Sequence, residues 1–469
     1  MLEVTETLAT EESLDSIDLK SLAADVVAAA QKAGATDAEA VVSEGDEFSV
    51  SVRMGEVETL QESGSRGLGL RVFVGQRSAS ASTSDLTPDG IRQLVRGAMA
   101  LAQITEEDSF AGLPDESEYG SLTGDLHLYF DDVYSLPGSE RIALARRAEA
   151  AALAADPRIT NSQGGGFDAA TGRRVLANSR GFLGEYRSSY CGISAAPLAV
   201  GPDGAMQRDY WSSSARRLAD LESPESIGLE AARRALRKLG ARKVPTQQVP
   251  IVFAPEVARS LVGHLFEAAS GDSIWRSASF LAGQLGETIA ATQLTVIDDH
   301  TMLLPTGVGG FGTSPFDGEG LPARRTVVVE NGVLRNYLLN TYTARKLQMR
   351  STGNATRGLS GSPGIGAGNL YVVPGSDSPE EILAGIPAGL YVTSLMGFGA
   401  NMVTGDYSRG ASGLWIENGE LTFAVEEITI AGNLREMLRN ITAIGSDLVF
   451  RGAVASPTLR VDGMTIAGA

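Results

Sequence analysis

The chain of 469 residues holds three histidines and one cysteine, which bounds the chemistry its side chains could do alone. His264 and Glu267 stand at i,i+3 on a predicted helix, a spacing by which an imidazole and a carboxylate can share one metal. His264 also falls on that helix's apolar stripe with Val257, Leu261, Leu265 and Ala268, and no second histidine stands at ligand spacing. A packed core imidazole is therefore the plainer reading. His300 follows Asp298-Asp299 at the end of a predicted strand and reads as a turn residue with a solvated ring. His127 lies in an acidic stretch and carries no signal. Cys191 sits in a strand-like run with no flanking base, which fits a small buried hydrophobe rather than a nucleophile. Asp298/Asp299 and Glu426/Glu427 are adjacent in sequence, so on strands they point to opposite faces and make poor acid–base pairs. The densest polar cluster is Gly405-Asp406-Tyr407-Ser408-Arg409-Gly410. As a loop held by rigid strands it could recognise a ligand; as a turn it would only bond its own backbone.

These residues need a frame. The cluster falls inside 389–438, which reads as a strand over 390–395 and then a glycine-spaced break at Gly397, Gly399 and Gly405. A hairpin follows, from Leu414–Ile416 over Asn418-Gly419 into Leu421–Ile430, because an Asn-Gly pair supplies two positive φ angles between β-prone runs. Asn433 then caps a helix bearing Leu434, Met437, Leu438 and Ile441. A second Glu-Asn-Gly hairpin spans 325–339, and Pro255 opens the His264 helix after a strand at 251–254. In the first half, Asp18 caps a helix ending near Gly34. Phe48, Val50, Val52 and Met54 alternate, as do Leu68, Leu70, Val72 and Val74, the period of half-buried strands. Gly67 and Gly69 leave room on the other face for something packed close. Thr87-Pro88 starts a helix and Ser139 caps another; 159–213 reads as short strands between glycine turns, and Glu222–Leu239 as a helix.

The class is α+β, with an N-terminal helix and antiparallel-sheet domain and a C-terminal β-rich domain of hairpins and packed helices. The expected organisation is a disordered leader at 1–18, an N-terminal α+β domain at 19–104 and a connection at 105–138. A central α+β segment at 139–240, a linker at 241–250 and a C-terminal domain at 251–469 complete it. The net charge of −18 argues against gripping a nucleic-acid backbone. No apolar run approaches the roughly 18 residues of a membrane span. One cysteine excludes an intrachain disulfide, and the acidic first residues lack a signal-peptide pattern, so a cytoplasmic protein is expected.

Several stretches are similar to the PmbA (TldE) branch of the TldD/PmbA family. They are Ser314-Pro-Phe-Asp-Gly-Glu-Gly320, Leu338-Leu-Asn-Thr-Tyr-Thr-Ala-Arg-Lys-Leu347, Ser351-Thr-Gly353, Gly405-Asp-Tyr-Ser-Arg-Gly-Ala411 and Glu427-Ile-Thr-Ile-Ala-Gly-Asn-Leu434. The likeness is dense from about Val249 onward and rests on layout before it. It implies a family named for a link to DNA gyrase and classed with metallopeptidases, whose TldD and PmbA members together degrade or process unfolded peptides. In the TldD type a helix carries HExxxH, two zinc ligands and a glutamate that activates water. The equivalent stretch here reads Arg259-Ser260-Leu-Val-Gly-His264, with one imidazole left, and the tail after Arg451 has no cysteine. The resemblance thus implies a subunit that binds no metal itself, with zinc in a TldD-like partner and unfolded peptide as substrate. Asp406, Tyr407, Ser408 and Arg409 become candidates for lining the peptide path or the subunit junction, and pairing of the chain with itself when alone, as a homodimer, is left open. Two other expectations stand beside it: an active metallopeptidase with an unconventional metal set around His264 and Glu267, and a non-proteolytic adaptor.

Overall fold

The computed structural model describes residues 18–468; the expected leader, apart from Asp18, lies outside them. Helix α1 (Leu19–Lys32), capped by the Asp18 carboxylate, precedes β1 (Asp37–Arg53), β2 (Glu56–Val74), β3 (Arg77–Thr83) and α2 (Pro88–Ile104). After a connection containing α3 (Asp132–Ser135) come α4 (Gly138–Ala154), β4 (Ile159–Asn178), β5 (Leu183–Val200), β6 (Met206–Arg208), β7 (Trp211–Ala215) and α5 (Pro224–Leu236). β1 pairs antiparallel with both β2 and β4, so strands from 19–104 and from 139–240 share one seven-stranded sheet.

Period-two alternation decides which way that sheet faces. Ala38, Ala40, Val42, Phe48, Val50 and Val52 of β1 are buried together with apolar residues of α1, α2, α4 and α5. The odd-numbered Val41 lies instead with Leu176, Phe182 and Phe316, on the face toward the C-terminal half. There the openings expected at Gly67 and Gly69 are filled by Leu359, against which a Cβ at either position would collide.

The second half begins with β8 (Gln247–Phe253), α6 (Pro255–Ala269), α7 (Gly271–Trp275), β9 (Val296–Asp299), β10 (Arg325–Glu330), β11 (Val333–Leu334) and α8 (Thr341–Lys346). It continues with β12 (Ala355–Thr356), β13 (Gly364–Ile365), β14 (Asn369–Val372), α9 (Pro379–Ala384), β15 (Ala388–Met396), β16 (Asp406–Glu417) and β17 (Glu420–Asn433). α10 (Leu434–Arg439), β18 (Ile441–Ile444), β19 (Val454–Ala455) and β20 (Leu459–Ala467) end it. The larger sheet runs β17-β16-β15-β8-β20-β18, and β17 also pairs β20, closing a ring of five strands. A second sheet runs β11-β10-β9-β14-β19, and α6 packs against β14, β15 and β19. Both Asn-Gly hairpins form, with φ of 49° and 80° at Asn331 and Gly332 and 49° and 86° at Asn418 and Gly419.

Several expectations are corrected. Residues 159–200 are two long strands, because Gly164–Gly166 form a register shift within β4 where the Ala145 carbonyl of α4 approaches Gly165, not a turn. Pro137, not Ser139, precedes α4. Ile441 starts β18 instead of ending a helix. β8 begins at Gln247, inside the stretch read as a linker, since Val249 is buried and pairs with Met464. Finally, 406–410 is strand rather than loop: Asp406 pairs with Asn433, and the ladder continues through Gly410 opposite Thr429.

Candidate functional site

β16 sorts its polar cluster by alternation. Asp406 and Ser408 face solvent, while Tyr407 is buried. The Asp406 carboxylate accepts from Thr404 Oγ1 at 2.7 Å and Asn433 Nδ2 at 3.3 Å, so it braces the strand entry. Tyr407 points toward α6, where its ring meets His264 edge-on at 6.0 Å between centroids. The sequence placed these two residues in separate readings, and the structure brings them together. Burial first, and then the charge of Arg409, hold the His264 imidazole below its ordinary pKa, so it is neutral near pH 7. Burial pushes the Tyr407 phenol up to about 12. His264 Nε2 is buried without a hydrogen-bond partner, and the Tyr407 hydroxyl lies against the Arg409 guanidinium, which partly offsets the rise that burial gives the phenol.

The other positions of that helix do not converge on His264. Arg259 Nε donates to the Glu256 carbonyl at 3.1 Å and Ser260 Oγ to the Val257 carbonyl at 2.7 Å. Glu267 is exposed, whereas His264 turns inward among Leu261, Leu265, Phe280 and Met437. Among the described residues no three His, Cys, Asp or Glu side chains stand close enough to hold a metal. Arg259, Ser260 and Arg409 instead line one wall of a cleft of about 570 Å³ between α5, α6, β7 and β15.

A second polar centre lies where the N-terminal sheet meets the C-terminal half, and here the reading of His300 is corrected. Its ring is buried, not solvated, because Gly368 covers it at a point where any Cβ would strike the imidazole. Nε2 stands 3.2 Å from Asp298 Oδ2 and 3.1 Å from Asn354 Nδ2. Burial opposes its charge, but the Asp298 carboxylate outweighs that and raises the pKa. Asp317 and Glu319 lie nearby, and burial raises both carboxyls, to about 6 and about 7. Glu39 of β1, fully buried, meets Arg71 Nε at 2.6 Å and Arg357 Nη1 at 2.8 Å. Asp298 accepts from Gly368 N and Asn354, and Asp317 from three backbone amides, so both brace loops of the C-terminal half, while the Glu39–Arg357 pair crosses to the N-terminal sheet. Sequence reasoning read His300 and Asp298 only as neighbours at a strand end and missed their meeting with Asn354 and with Asp317-Gly-Glu319 of a family-like stretch. Cys191 is buried and its thiol is pushed up to about 12, which leaves it inert.

A long antiparallel sheet covered by helices on one face, joined to a closed ring of strands beside the α6 cleft, is the architecture of the PmbA/TldA metallopeptidases. Three domain models of that family match: domain 1 over 38–102, the central domain over 131–239 and the C-terminal domain over 246–468. The chain belongs to the PmbA branch of this family. It is 41% identical to Metalloprotease PmbA of Escherichia coli O157:H7 over 92% of each chain, and 36% identical to the PmbA homolog of Haemophilus influenzae over 96% of each. A crystal structure of a candidate modulator of DNA gyrase from Bacteroides thetaiotaomicron superposes with a TM-score of 0.88 at 29% identity, covering 97% of this chain and all of that one. TldE from Thermococcus kodakarensis shares the fold, with a TM-score of 0.84 at 21% identity over 95% of this chain. No helix among the described residues is long and apolar enough to cross a membrane.

Proposed function

We propose that this chain is the non-catalytic subunit of a two-component cytoplasmic metalloprotease that degrades or processes unfolded peptides. Zinc and the activated water belong to a TldD-like partner bearing HExxxH. The observation that carries this reading is the donor set on α6. A catalytic zinc needs three protein ligands and an open position, and α6 offers one imidazole whose neighbours are a phenol and a guanidinium. A cation beside His264 opposes a divalent ion, so these residues do not fit zinc. The relatives from Escherichia coli and Haemophilus influenzae, a metalloprotease PmbA and its homolog, support the proteolytic setting, and the Thermococcus fold neighbour is a TldE. In this account the cleft beside α6 guides peptide toward the partner's metal.

Mixing the purified chain with an HExxxH-bearing family member and an unfolded protein substrate tests this. Cleavage faster than by either component alone is expected. A rate equal to that of the HExxxH member alone would favour a non-proteolytic adaptor.

A further inference from the structure

In a chain of net charge −18, the α6 cleft is unusual in being lined by six arginines and four carboxylates. The carboxylates are already engaged. Glu230 takes Arg233 at 2.7 Å, Asp209 takes Lys238 at 3.0 Å and Glu256 takes Arg234 at 2.6 Å. Asp447 accepts from Thr458 N at 2.9 Å and Oγ1 at 2.7 Å. Among the described residues Arg237, Arg259 and Arg409 pair with no carboxylate. Arg237 is the most exposed to this deficit: its Nε and Nη2 are buried and have no hydrogen-bond partner. Burial, and then repulsion from Arg234 and Arg233, work against its charge. Arg409 Nε is likewise buried without an aligned acceptor, although the guanidinium lies against the Tyr407 hydroxyl. A desolvated guanidinium without an acceptor costs free energy unless something arrives to satisfy it.

We propose that Arg237 and Arg409 receive a carboxylate of a bound peptide, either an acidic side chain or a free C-terminus. The guanidinium fork matches a planar carboxylate. The cleft's size suits a peptide better than a lone ion, since 570 Å³ is within the range of small-molecule sites. Tyr391 on its wall offers apolar surface for a flanking residue, while the Trp211 ring already carries the guanidiniums of Arg234 at 4.7 Å and Arg451 at 4.2 Å. The proposal rests on the reading of this chain as part of a peptide-handling protease and names what that path prefers.

Fluorescence anisotropy of the full chain with a short unstructured peptide tests it. The peptide carries Asp and Glu and a free C-terminus, and is compared with its C-terminally amidated form and its Asn/Gln form. The all-acid peptide is expected to bind about tenfold more tightly than the form lacking the responsible carboxylate. Which substitution loses the affinity tells side chain from C-terminus. Arg237→Gln should remove the preference without lowering the melting temperature, because it deletes an unsatisfied cation; Arg409→Gln should weaken it independently. Equal binding of all peptides, or a preference that survives both variants, overturns the proposal. So does inorganic phosphate displacing the peptide as effectively as unlabelled peptide does. Activation of an HExxxH partner with no charge preference would sink this inference alone, whereas phosphate binding with no peptide binding at all would sink the peptide-handling reading too.

Discussion

Glu39→Ala is expected to lower the denaturant midpoint of this protein sharply, with a loss of about 3–5 kcal/mol. Glu39 is fully buried between the guanidiniums of Arg71 and Arg357, at 2.6 and 2.8 Å. The charges meet at ion-pair distance although the N–H directions miss the oxygens, so the carboxylate's main contribution is neutralisation rather than aligned hydrogen bonds. Removing it leaves two cations facing each other out of reach of water, next to the seam between the N-terminal sheet and the C-terminal half. A total stability of about 5–15 kcal/mol for a typical domain makes that a large fraction. Arg357→Met placed on top of Glu39→Ala should recover part of the loss, because the surplus is then one guanidinium instead of two. Urea unfolding followed by circular dichroism reads both effects. A midpoint within error of the parent for Glu39→Ala contradicts the strut role of this cluster.

The second large effect concerns pH. Burial raises the carboxyls of Asp317 and Glu319 above their unfolded values, and the Asp317 charge adds to the rise at Glu319. The folded state therefore holds protons that the unfolded chain releases. The sign follows from linkage: the contribution is complete below the ordinary carboxylate range and is lost as pH rises through about 6 and about 7. His300, with its pKa raised by Asp298, shifts stability the same way as pH increases past its titration. Glu319→Gln keeps an acceptor for Thr341 N and Oγ1, at 2.9 and 2.6 Å in the parent, and removes the titrating charge. It should raise the melting temperature at pH 8 and change it little at pH 5, a difference worth a few kcal/mol. Parallel pH curves for the parent and Glu319→Gln would show that Glu319 does not titrate in this range.

Much of the scaffold was legible because its signals are local. Alternation at Phe48–Val52 and Leu68–Val74, the two Asn-Gly turns and the capping residues Asp18, Thr87 and Asn433 each act within a few residues. Gly67 and Gly69 even announced a close approach, though nothing in the sequence said that Leu359 would make it. What escaped depends on distant partners. The 406–410 stretch looked like a loop because Asp406 and the glycines on either side are depleted in strands and only Tyr407 favours them; pairing with β17 decides otherwise. His300 looked solvated because the residue that covers it, Gly368, lies far along the chain. The Glu39 cluster joins residues from β1, β2 and the loop after β12, a juxtaposition with no local signature. At the candidate site the helix and the strand were both read, but the meeting of His264 with Tyr407 and Arg409 was visible only in three dimensions.

The non-catalytic role requires that α6 cannot grip a cation through its single imidazole. Elemental analysis of the chain purified alone, equilibrated with zinc and freed of excess, tests this most directly. Far less than one zinc per chain is predicted, and His264→Ala should leave the value unchanged. One zinc per chain, lost together with peptidase activity in His264→Ala, would contradict the reading and make this chain a metallopeptidase in its own right.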